Sequence, residues 1–349
     1  MYKYFFIFVK IIFVMLKDTL ESISKRTGYS VSTISRVLNG KADSYRISQT
    51  AIDVIQAEAR KSNFTPCAIA QSLRNKRTNT IGLLIPSIDN LYFSNLANVI
   101  VQEAKSLGIL TMVVDSMESE TNEKNAINSL LARKVDGIIA VPSGQDPSDF
   151  EACNNQIPIV LIDRYFSDTE TLSYVCTDNY KGASMATQCL IDNGHRKIAC
   201  IVGPPQSSTV KDRTRGFVDT LEKKDITDYI ITGDSFSIQN GYLETKLLLN
   251  SKDKPTAIFC MSNTILLGAI KAIRESNYSI PDDISIISFD DSFYMDYLSP
   301  AITRISQPIY EIGVLAIKIL FKKISEESFR ENQIQLPPIL IYGHSIQKL

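Results

Sequence analysis

The sequence predicts an α/β fold in which a small all-helical head precedes a large body of two doubly wound lobes. Three observations support this prediction. Short helical patterns separated by a glycine-containing turn come first, apolar strands alternate with helices from Ile81 onward, and basic residues are concentrated in the head. The 349 residues are enough for about two domains and a smaller unit.

The head is predicted to contain three short helices, at residues 19–27, 31–38 and 48–60. Thr19 is placed to cap the first helix, and Gly28 ends it. Because only two residues separate the first helix from the second, the two must cross at a steep angle. A pair of helices of this size with a glycine in the turn is typical of a helix-turn-helix unit.

The charge of the chain is distributed unevenly. Residues 15–79 contain 11 Lys and Arg against 5 Asp and Glu, whereas residues 80–349 contain 24 basic and 33 acidic side chains. The overall net charge of −1 conceals this difference. A basic head on an acidic body predicts a polyanionic partner for the head alone.

The body begins with a change of pattern. Apolar runs such as IGLLIP (81–86), ILTMVVD (109–115) and ISIISFD (284–290) are typical of parallel strands buried on both faces. Further strands are predicted at 135–141, 157–163, 197–203, 229–233 and 256–261, and helices at 93–107, 120–133, 180–193, 211–223, 239–250 and 264–276. These are too many strands for one small sheet, so we expect two lobes with a ligand cleft at the carboxyl ends of the strands.

The predicted organisation has four segments. They are an extension outside the domains (1–14), the head (15–65), a short helix with a linker (66–79) and the body (80–349). The first lobe of the body takes about residues 80–175 and 306–334, and the second takes about residues 176–305 and 335–349. The apolar extension is shorter than the roughly 20 residues of a membrane-spanning helix. We expect Met15 to be the natural start, with an interfacial anchor as the alternative.

No pattern for a metal centre or an enzyme active site is found in the sequence. The six Cys form no C-x-x-C pair, and the only His are His195 and His344. A P-loop, a dinucleotide-binding fingerprint and a nucleophile elbow are all missing. We therefore predict a protein that is not an enzyme and has no cofactor or metal, with its cysteines buried in a reducing, cytoplasmic compartment.

From Met15 onward the chain resembles the LacI-type transcriptional repressors. Residues 30–40 (SVSTISRVLNG) are similar to the recognition helix of that family. Shorter matches follow in the family's order, at 66, 70–73, 77–78, 81–83, 136–138, 162–164, 178–179, 194–198, 216–217, 289–291 and 307–308. The resemblance implies a periplasmic-binding-protein-like body and a homodimer that binds palindromic double-stranded operator DNA.

The resemblance also implies which residues bind DNA. Val31, Ser32 and Arg36 would read base edges, and Arg36 has the donor geometry for guanine O6 and N7. Hydroxyl and amide side chains near them suit phosphate oxygens, which set the register. The predicted set in the head is Thr19, Ser30, Val31, Ser32, Thr33, Arg36 and Asn39.

Residues 67–74 resemble the family's hinge helix. Leu73 would wedge into the minor groove, and Ala70 would pack across the dimer axis. Cys67 and Gln71 stand where the family often has Asn and Arg, which leaves the phosphate contacts of the hinge open. The loop 41–46, which is longer than in many members, adds Lys41 and Arg46 near the DNA backbone.

For the body, the resemblance implies a sugar or nucleoside in the cleft. Arg213 and Asp290 would bind hydroxyl groups, Tyr92 or Phe93 would face the ring, and Arg164 would contribute selectivity. The predicted set is Asp89, Tyr92, Phe93, Ser116, Arg164, Arg213, Asn263 and Asp290, with Arg213 expected just after the loop that contains residues 203–209. Many relatives have Asn-Asp where this chain has Ser262-Asn263, so the identity of the ligand is less transferable than the fold.

The predicted function is that of a DNA-binding repressor controlled by a small ligand, most simply a carbohydrate. The alternatives are an activator or a regulator that responds to a protein co-effector, because promoter layout decides the sign of regulation. A transport binding protein would have no use for the head. Helices at 95–105 and 310–322 resemble dimer surfaces, and the lack of a heptad pattern after Gln335 favours a dimer over a tetramer.

Overall fold

The computed structural model describes residues 19–64, 77–326 and 333–349. It divides into two compact units, residues 1–78 and 79–349, which are described separately. The predicted extension 1–14 and most of the predicted hinge segment, including Ala70 and Leu73, lie outside the described residues.

The first unit contains the three expected helices within about a residue of their predicted limits. They are α1 (Leu20–Thr27), α2 (Val31–Leu38) and α3 (Gln49–Lys61). Each begins at a hydroxyl residue whose side chain accepts a hydrogen bond from a backbone N–H of the first turn, namely Thr19, Ser30 and Ser48. The apolar faces of the helices meet in a small core of Ile23, Ile34, Val37, Ala42, Ile55 and Ala59.

The second unit is built on two six-stranded sheets covered by helices. Its elements are β1 (Thr80–Ile85), α4 (Leu91–Ser106), β2 (Leu110–Asp115), α5 (Glu120–Ala132), β3 (Gly137–Ala140), α6 (Ser148–Asn154), β4 (Ile159–Ile162), β5 (Ser173–Thr177), α7 (Asn179–Asp192), β6 (Ile198–Ile201), α8 (Ser208–Glu222), β7 (Tyr229–Thr232), α9 (Ile238–Asn250), β8 (Ala257–Cys260), α10 (Asn263–Glu275), β9 (Ser285–Phe289), β10 (Thr303–Ser306), α11 (Ile309–Ile324), β11 (Gln333–Leu336) and β12 (Ile339–Ile341).

The first sheet has the strand order β11-β5-β4-β3-β1-β2, and the second has β12-β10-β9-β8-β6-β7. The pairs in both sheets are parallel except β10 with β12, which is antiparallel. In β1, Leu83 packs with α4 and α11 on one face while Leu84 packs with α5 on the other. Burial on both faces explains the continuous apolar runs in the sequence.

The chain passes between the two sheets three times, after β5, after β10 and after β11. Two of these crossings are joined by a buried hydrogen bond of 2.5 Å from the Thr177 hydroxyl to Gln307 Oε1. The third crossing contains Pro337 and Pro338. The crossings therefore lie side by side and hold the ends of both sheets close together.

Four strands and one helix were not among the sequence predictions. The strands β5, β10 and β11 are four or five residues long and mix polar with apolar side chains, β12 has only three residues, and α6 has only seven. The helices expected as dimer surfaces are α4 and α11; the apolar face of each packs in the core of the first lobe, and a role in the dimer stays a prediction.

Candidate functional site

The exposed face of α2 carries the predicted base-reading residues. Val31, Ser32 and Arg36 are exposed, while Ile34 and Val37 on the opposite face are buried in the head core. An eight-residue helix with one fully packed face and one open face is suited to insertion in a major groove. The structure thus places these three side chains where a DNA partner could reach them.

The hydroxyl groups predicted to bind phosphate already take part in helix capping. Ser30 Oγ accepts a hydrogen bond from the Thr33 N–H at 3.2 Å and lies 2.8 Å from Ser32 Oγ. Thr19 forms a reciprocal capping pair with Ser22 at the start of α1. Asn39 donates from its amide to the Ser35 carbonyl at 2.6 Å, so it closes the end of α2.

In the body, two aspartates occupy equivalent positions at the ends of central strands. Asp163 follows β4 in the first sheet, and Asp290 follows β9 in the second. Both have a left-handed backbone, with φ of 64° and 72°. This conformation is uncommon outside glycine, although aspartate tolerates it better than most residues, and it turns each carboxylate away from its strand.

Arg213 lies in the same buried cluster. It lies in α8, which begins at Ser208, three residues before the predicted start of that helix. Its Nε donates to Asn179 Oδ1 at 2.8 Å, one terminal nitrogen donates to the Met261 carbonyl at 2.5 Å, and its guanidinium lies 3.6 Å from the centre of the Phe289 ring. Burial lowers the pKa of Arg213, and the charges of Asp290 and Asp163 oppose that shift.

Asp290 is tied to both neighbouring elements. Its carboxylate accepts hydrogen bonds from the Asn263 backbone N–H at 3.2 Å and from Gln307 Nε2 at 2.6 Å. Gln307 is also the acceptor of the Thr177 hydroxyl, so the aspartate is linked to two crossings between the sheets. The Asn263 side chain donates to Ser292 Oγ at 3.2 Å.

Tyr92 and Phe93 form the aromatic part of the cluster. Both are buried, with ring centres 5.2 Å apart in an edge-on arrangement. Burial raises the pKa of Tyr92, and the nearby Asp163 carboxylate raises it further. Burial also raises the pKa of Asp163 against the opposing effect of Arg164 and Arg213.

Arg164 connects this cluster to an open space between the lobes. It forms two 2.7 Å bonds to Glu118 and a third, of 3.1 Å, to the Pro142 carbonyl. Burial alone would lower its pKa, but the hydrogen bonds and charge of Glu118 outweigh burial and raise it. Arg164 lines a cavity of about 260 Å³ whose other walls are Glu118, 142–145, 165–166, 204, 206–208 and 235–237.

The cavity is bridged by contacts between the lobes. The Tyr165 N–H donates to Ser208 Oγ at 3.1 Å, and the Tyr165 hydroxyl donates to Asp212 at 2.7 Å. Among the predicted ligand residues, Arg164 is the one that lines this cavity in the described part of the chain. Ser116 lies one layer behind it, with its hydroxyl 2.8 Å from that of Ser143.

Three polar atoms of the predicted set are buried without a hydrogen-bond partner among the described residues, namely the Tyr92 hydroxyl, Arg164 Nε and Asn263 Oδ1. Such atoms are uncommon because an unpaired buried polar group is costly. A polar ligand could satisfy them. The cluster is therefore suited to binding a neutral molecule with several hydroxyl groups, since its charges already balance one another.

Asp89 is not brought into this cluster, because its side chain is exposed on the loop before α4, where Asn90 caps the helix. The residues that sequence reasoning left out of the site are Asp163, Asn179, Gln307 and Glu118. The first three fall within the short segments that match the family, and those matches could have identified them as site residues. Glu118 had no such signal, since its pairing with Arg164 spans 46 positions of sequence.

Two negative findings apply to the residues that the structure describes. None of the helices there is long and apolar enough to cross a bilayer. No group of three or more His, Cys, Asp or Glu side chains in those residues could hold a metal ion.

Comparison with known proteins gives a consistent result. A periplasmic binding protein-like domain matches residues 187–346. The ribose operon repressor of Halalkalibacterium halodurans is 31% identical over 323 residues, covering 93% of this chain and 95% of the relative. The HTH-type transcriptional repressor PurR of Mannheimia succiniciproducens is 29% identical and covers 95% and 99%.

Solved structures agree with these relatives. A Lac repressor dimer bound to operator and the anti-inducer ONPF superposes with a TM-score of 0.85 at 25% identity, covering 95% of this chain and 99% of that one. A LacI family transcriptional regulator from Enterococcus faecium with bound ribose has a TM-score of 0.71 at 28% identity, covering 77% and 99%.

Proposed function

The chain belongs to the LacI family of ligand-controlled transcriptional repressors, and we propose that it binds operator DNA as a homodimer. We further propose that a small carbohydrate, when it binds in the cleft, lowers or raises the affinity for that DNA. The observation that carries the proposal is the buried cluster of Arg213, Asp290 and Asp163 beside the cavity that Arg164 lines. The named relatives are transcriptional repressors, and we infer that this chain is likewise a binding protein rather than an enzyme.

The DNA-binding half of the proposal assigns base reading to Val31, Ser32 and Arg36, and phosphate contacts to the capping hydroxyls and Asn39. It is tested by selection of the full chain on a duplex library with randomised sequence. We expect an inverted repeat, because a two-fold dimer presents two copies of α2. Recovery of sequences without a shared motif would contradict the proposal.

A homodimer is supported by apolar side chains on the edge of the first sheet. Leu107, Leu110 and Met117 are each more than half exposed at or beside strand β2, and Val113 is partly exposed. Exposed apolar residues that cluster at one edge favour association. Light scattering is expected to give twice the mass of a single chain, and the mass of one chain would contradict a dimer.

The ligand half assigns the cleft to a pentose or a related sugar, since a relative of known structure holds ribose. The test is a thermal melt of the full chain with D-ribose, D-xylulose and adenosine. A ligand at 100 times its dissociation constant adds about 2.7 kcal/mol to the free energy of unfolding. Asp290→Ala is expected to abolish the shift, while Asp89→Ala, which alters an exposed side chain, preserves it.

If none of these compounds moves the melting temperature of a chain that binds its selected DNA, the carbohydrate assignment fails and a protein co-effector takes its place. If only adenosine does so, the ligand is a nucleoside. The hinge roles of Ala70 and Leu73 stay predictions. Leu73→Ala is expected to reduce the DNA bend angle, measured by energy transfer between the ends of a labelled duplex.

A further inference from the structure

The loop between α2 and α3 is fixed against the end of the reading helix. The Lys41 N–H donates to the Arg36 carbonyl at 2.9 Å, and Ala42 is buried in the head core. A 3-10 turn, Asp43–Tyr45, follows and is closed by a 3.1 Å bond from the Arg46 N–H to the Asp43 carbonyl. These contacts determine where the side chain of Tyr45 lies.

The ring of Tyr45 lies under the guanidinium of Arg36, with 3.9 Å from the central carbon to the ring centre. This is well inside the ~6 Å range of a cation–π contact. Both side chains are exposed, and Tyr45 retains 52% of its accessible surface. The ring thus contacts one face of the cation without burying it.

Stacking and base reading use different parts of the guanidinium. A guanidinium stacks on an aromatic ring through its flat face, and a distance of 3.9 Å from its central carbon to the ring centre fits such stacking, whereas its N–H donors point outward within its plane. A bidentate contact to guanine O6 and N7 needs that plane held in one orientation. An exposed arginine otherwise loses rotamer freedom when it binds, which weakens the contact.

We propose that Tyr45 is a positioning residue for DNA specificity: its ring holds the guanidinium of Arg36 in the orientation that reads a guanine in each half-site. This inference rests on the proposed function, since it requires that Arg36 contact bases. It gives the loop 41–46 a role in sequence discrimination in addition to the backbone contacts of its two basic residues.

The experiment repeats the duplex-library selection with the full-length wild type, Arg36→Ala, Tyr45→Ala, Tyr45→Leu and Tyr45→Phe. Arg36→Ala identifies the base pair that the arginine reads. Tyr45→Ala and Tyr45→Leu are expected to weaken the preference at that same base pair by about two- to five-fold per half-site, which is the range of an exposed cation–π contact. Tyr45→Phe keeps the ring and is expected to retain the wild-type preference.

Ser44→Ala is the matched control, because it alters an exposed residue of the same turn without touching the ring. Binding to non-specific DNA reports whether a variant head is folded, and Tyr45→Leu replaces Tyr45→Ala if the smaller side chain unfolds the head. The inference is overturned if both leave the preference unchanged, or if Tyr45→Phe loses as much as they do, since the hydroxyl would then be the active group. A wild type that selects no motif overturns the proposed function as well.

Discussion

The head and the cleft present their functional side chains in opposite ways. In the head, Val31, Ser32 and Arg36 face solvent and the apolar core behind them is small. In the cleft, Arg213 and Asp290 are buried and each is bonded to protein groups. When the head binds DNA, the DNA displaces water from exposed side chains. A ligand in the cleft must instead displace a protein group that is already bonded to the side chain it contacts.

This difference predicts how substitutions will behave. An exposed reading residue contributes little to the stability of its own domain, so its loss affects recognition alone. A buried charged residue holds other charges in place, so its loss affects stability and recognition together. Four experiments test this contrast, from the largest expected effect to the smallest.

Replacing Arg213 by Leu should have the largest effect. It leaves Asn179 Oδ1 and the Met261 carbonyl without their donor and removes a buried positive charge near Asp290 and Asp163, and the loss of such a buried, hydrogen-bonded charge costs about 3–5 kcal/mol. The free energy of unfolding of the body, measured by urea denaturation, is expected to fall by this amount. Arg213→Lys, which keeps the charge, should lose less. A loss below about 1 kcal/mol for Arg213→Leu would mean that cleft and head respond alike.

Arg36→Ala is the corresponding experiment in the head. It should remove about 1–3 kcal/mol of discrimination in each half-site, because one bidentate contact to guanine is lost. Urea denaturation should change by less than about 0.5 kcal/mol, as for other surface substitutions. Binding is measured against selected and scrambled duplexes over a range of salt concentration. Equal losses on both duplexes would show that Arg36 contacts only phosphate.

The pH dependence of the free energy of unfolding of the body tests Glu123, a carboxylate bonded to the wall of the cleft. Burial raises the pKa of Glu123 to about 7, although its carboxylate accepts bonds from the Ser143 and Gly144 N–H groups. A raised pKa in the folded state means that the folded chain holds the proton more tightly than the unfolded chain. The stabilising effect is complete below 4.5, the ordinary pKa of a glutamate in the unfolded chain, and is lost as the pH rises to about 7.

Between those pH values the free energy of unfolding is expected to fall by about 2–3 kcal/mol through this group. Glu123→Gln should remove that part of the pH profile. Glu222→Gln, at an exposed glutamate, should leave it unchanged. A profile that is the same in all three proteins would show that Glu123 titrates normally.

The smallest effect separates two capping residues of the head. Ser30→Ala and Ser48→Ala each remove an N-cap, at a cost of about 1 kcal/mol in the free energy of unfolding. If Ser30 also contacts phosphate, its variant should lose more affinity for DNA than the variant of Ser48, which is outside the predicted DNA-binding set, at equal loss of stability. Equal losses of affinity would mean that both residues act through the helices alone.

The same contrast explains what could be predicted from the sequence. The limits of α2 follow from Ser30 before it and Asn39 with Gly40 after it, because caps and glycines act locally. The short strands β5 and β10 lack such local signals, since sheet pairing sets their limits. They were therefore missed, although the two-lobed architecture was predicted correctly.

For the cleft, the sequence identified residue types at strand ends but not their partners. Asp290 and Arg213 lie far apart in sequence and meet because β9 ends and α8 begins at the same side of one sheet. The pair of Arg164 with Glu118 and the bond of Gln307 to Asp290 are both products of tertiary packing. Spacing along the chain carries no information about such pairings.

Gln307 has a consequence for how such a sensor can be re-engineered. It bonds Asp290 in the cleft and Thr177 in a neighbouring crossing, so one side chain serves both the ligand pocket and the joint between the lobes. A substitution that adapts residue 290 to a new inducer also disturbs the joint. We expect biosensor variants with altered ligand preference and an intact response to require paired changes at 290 and 307.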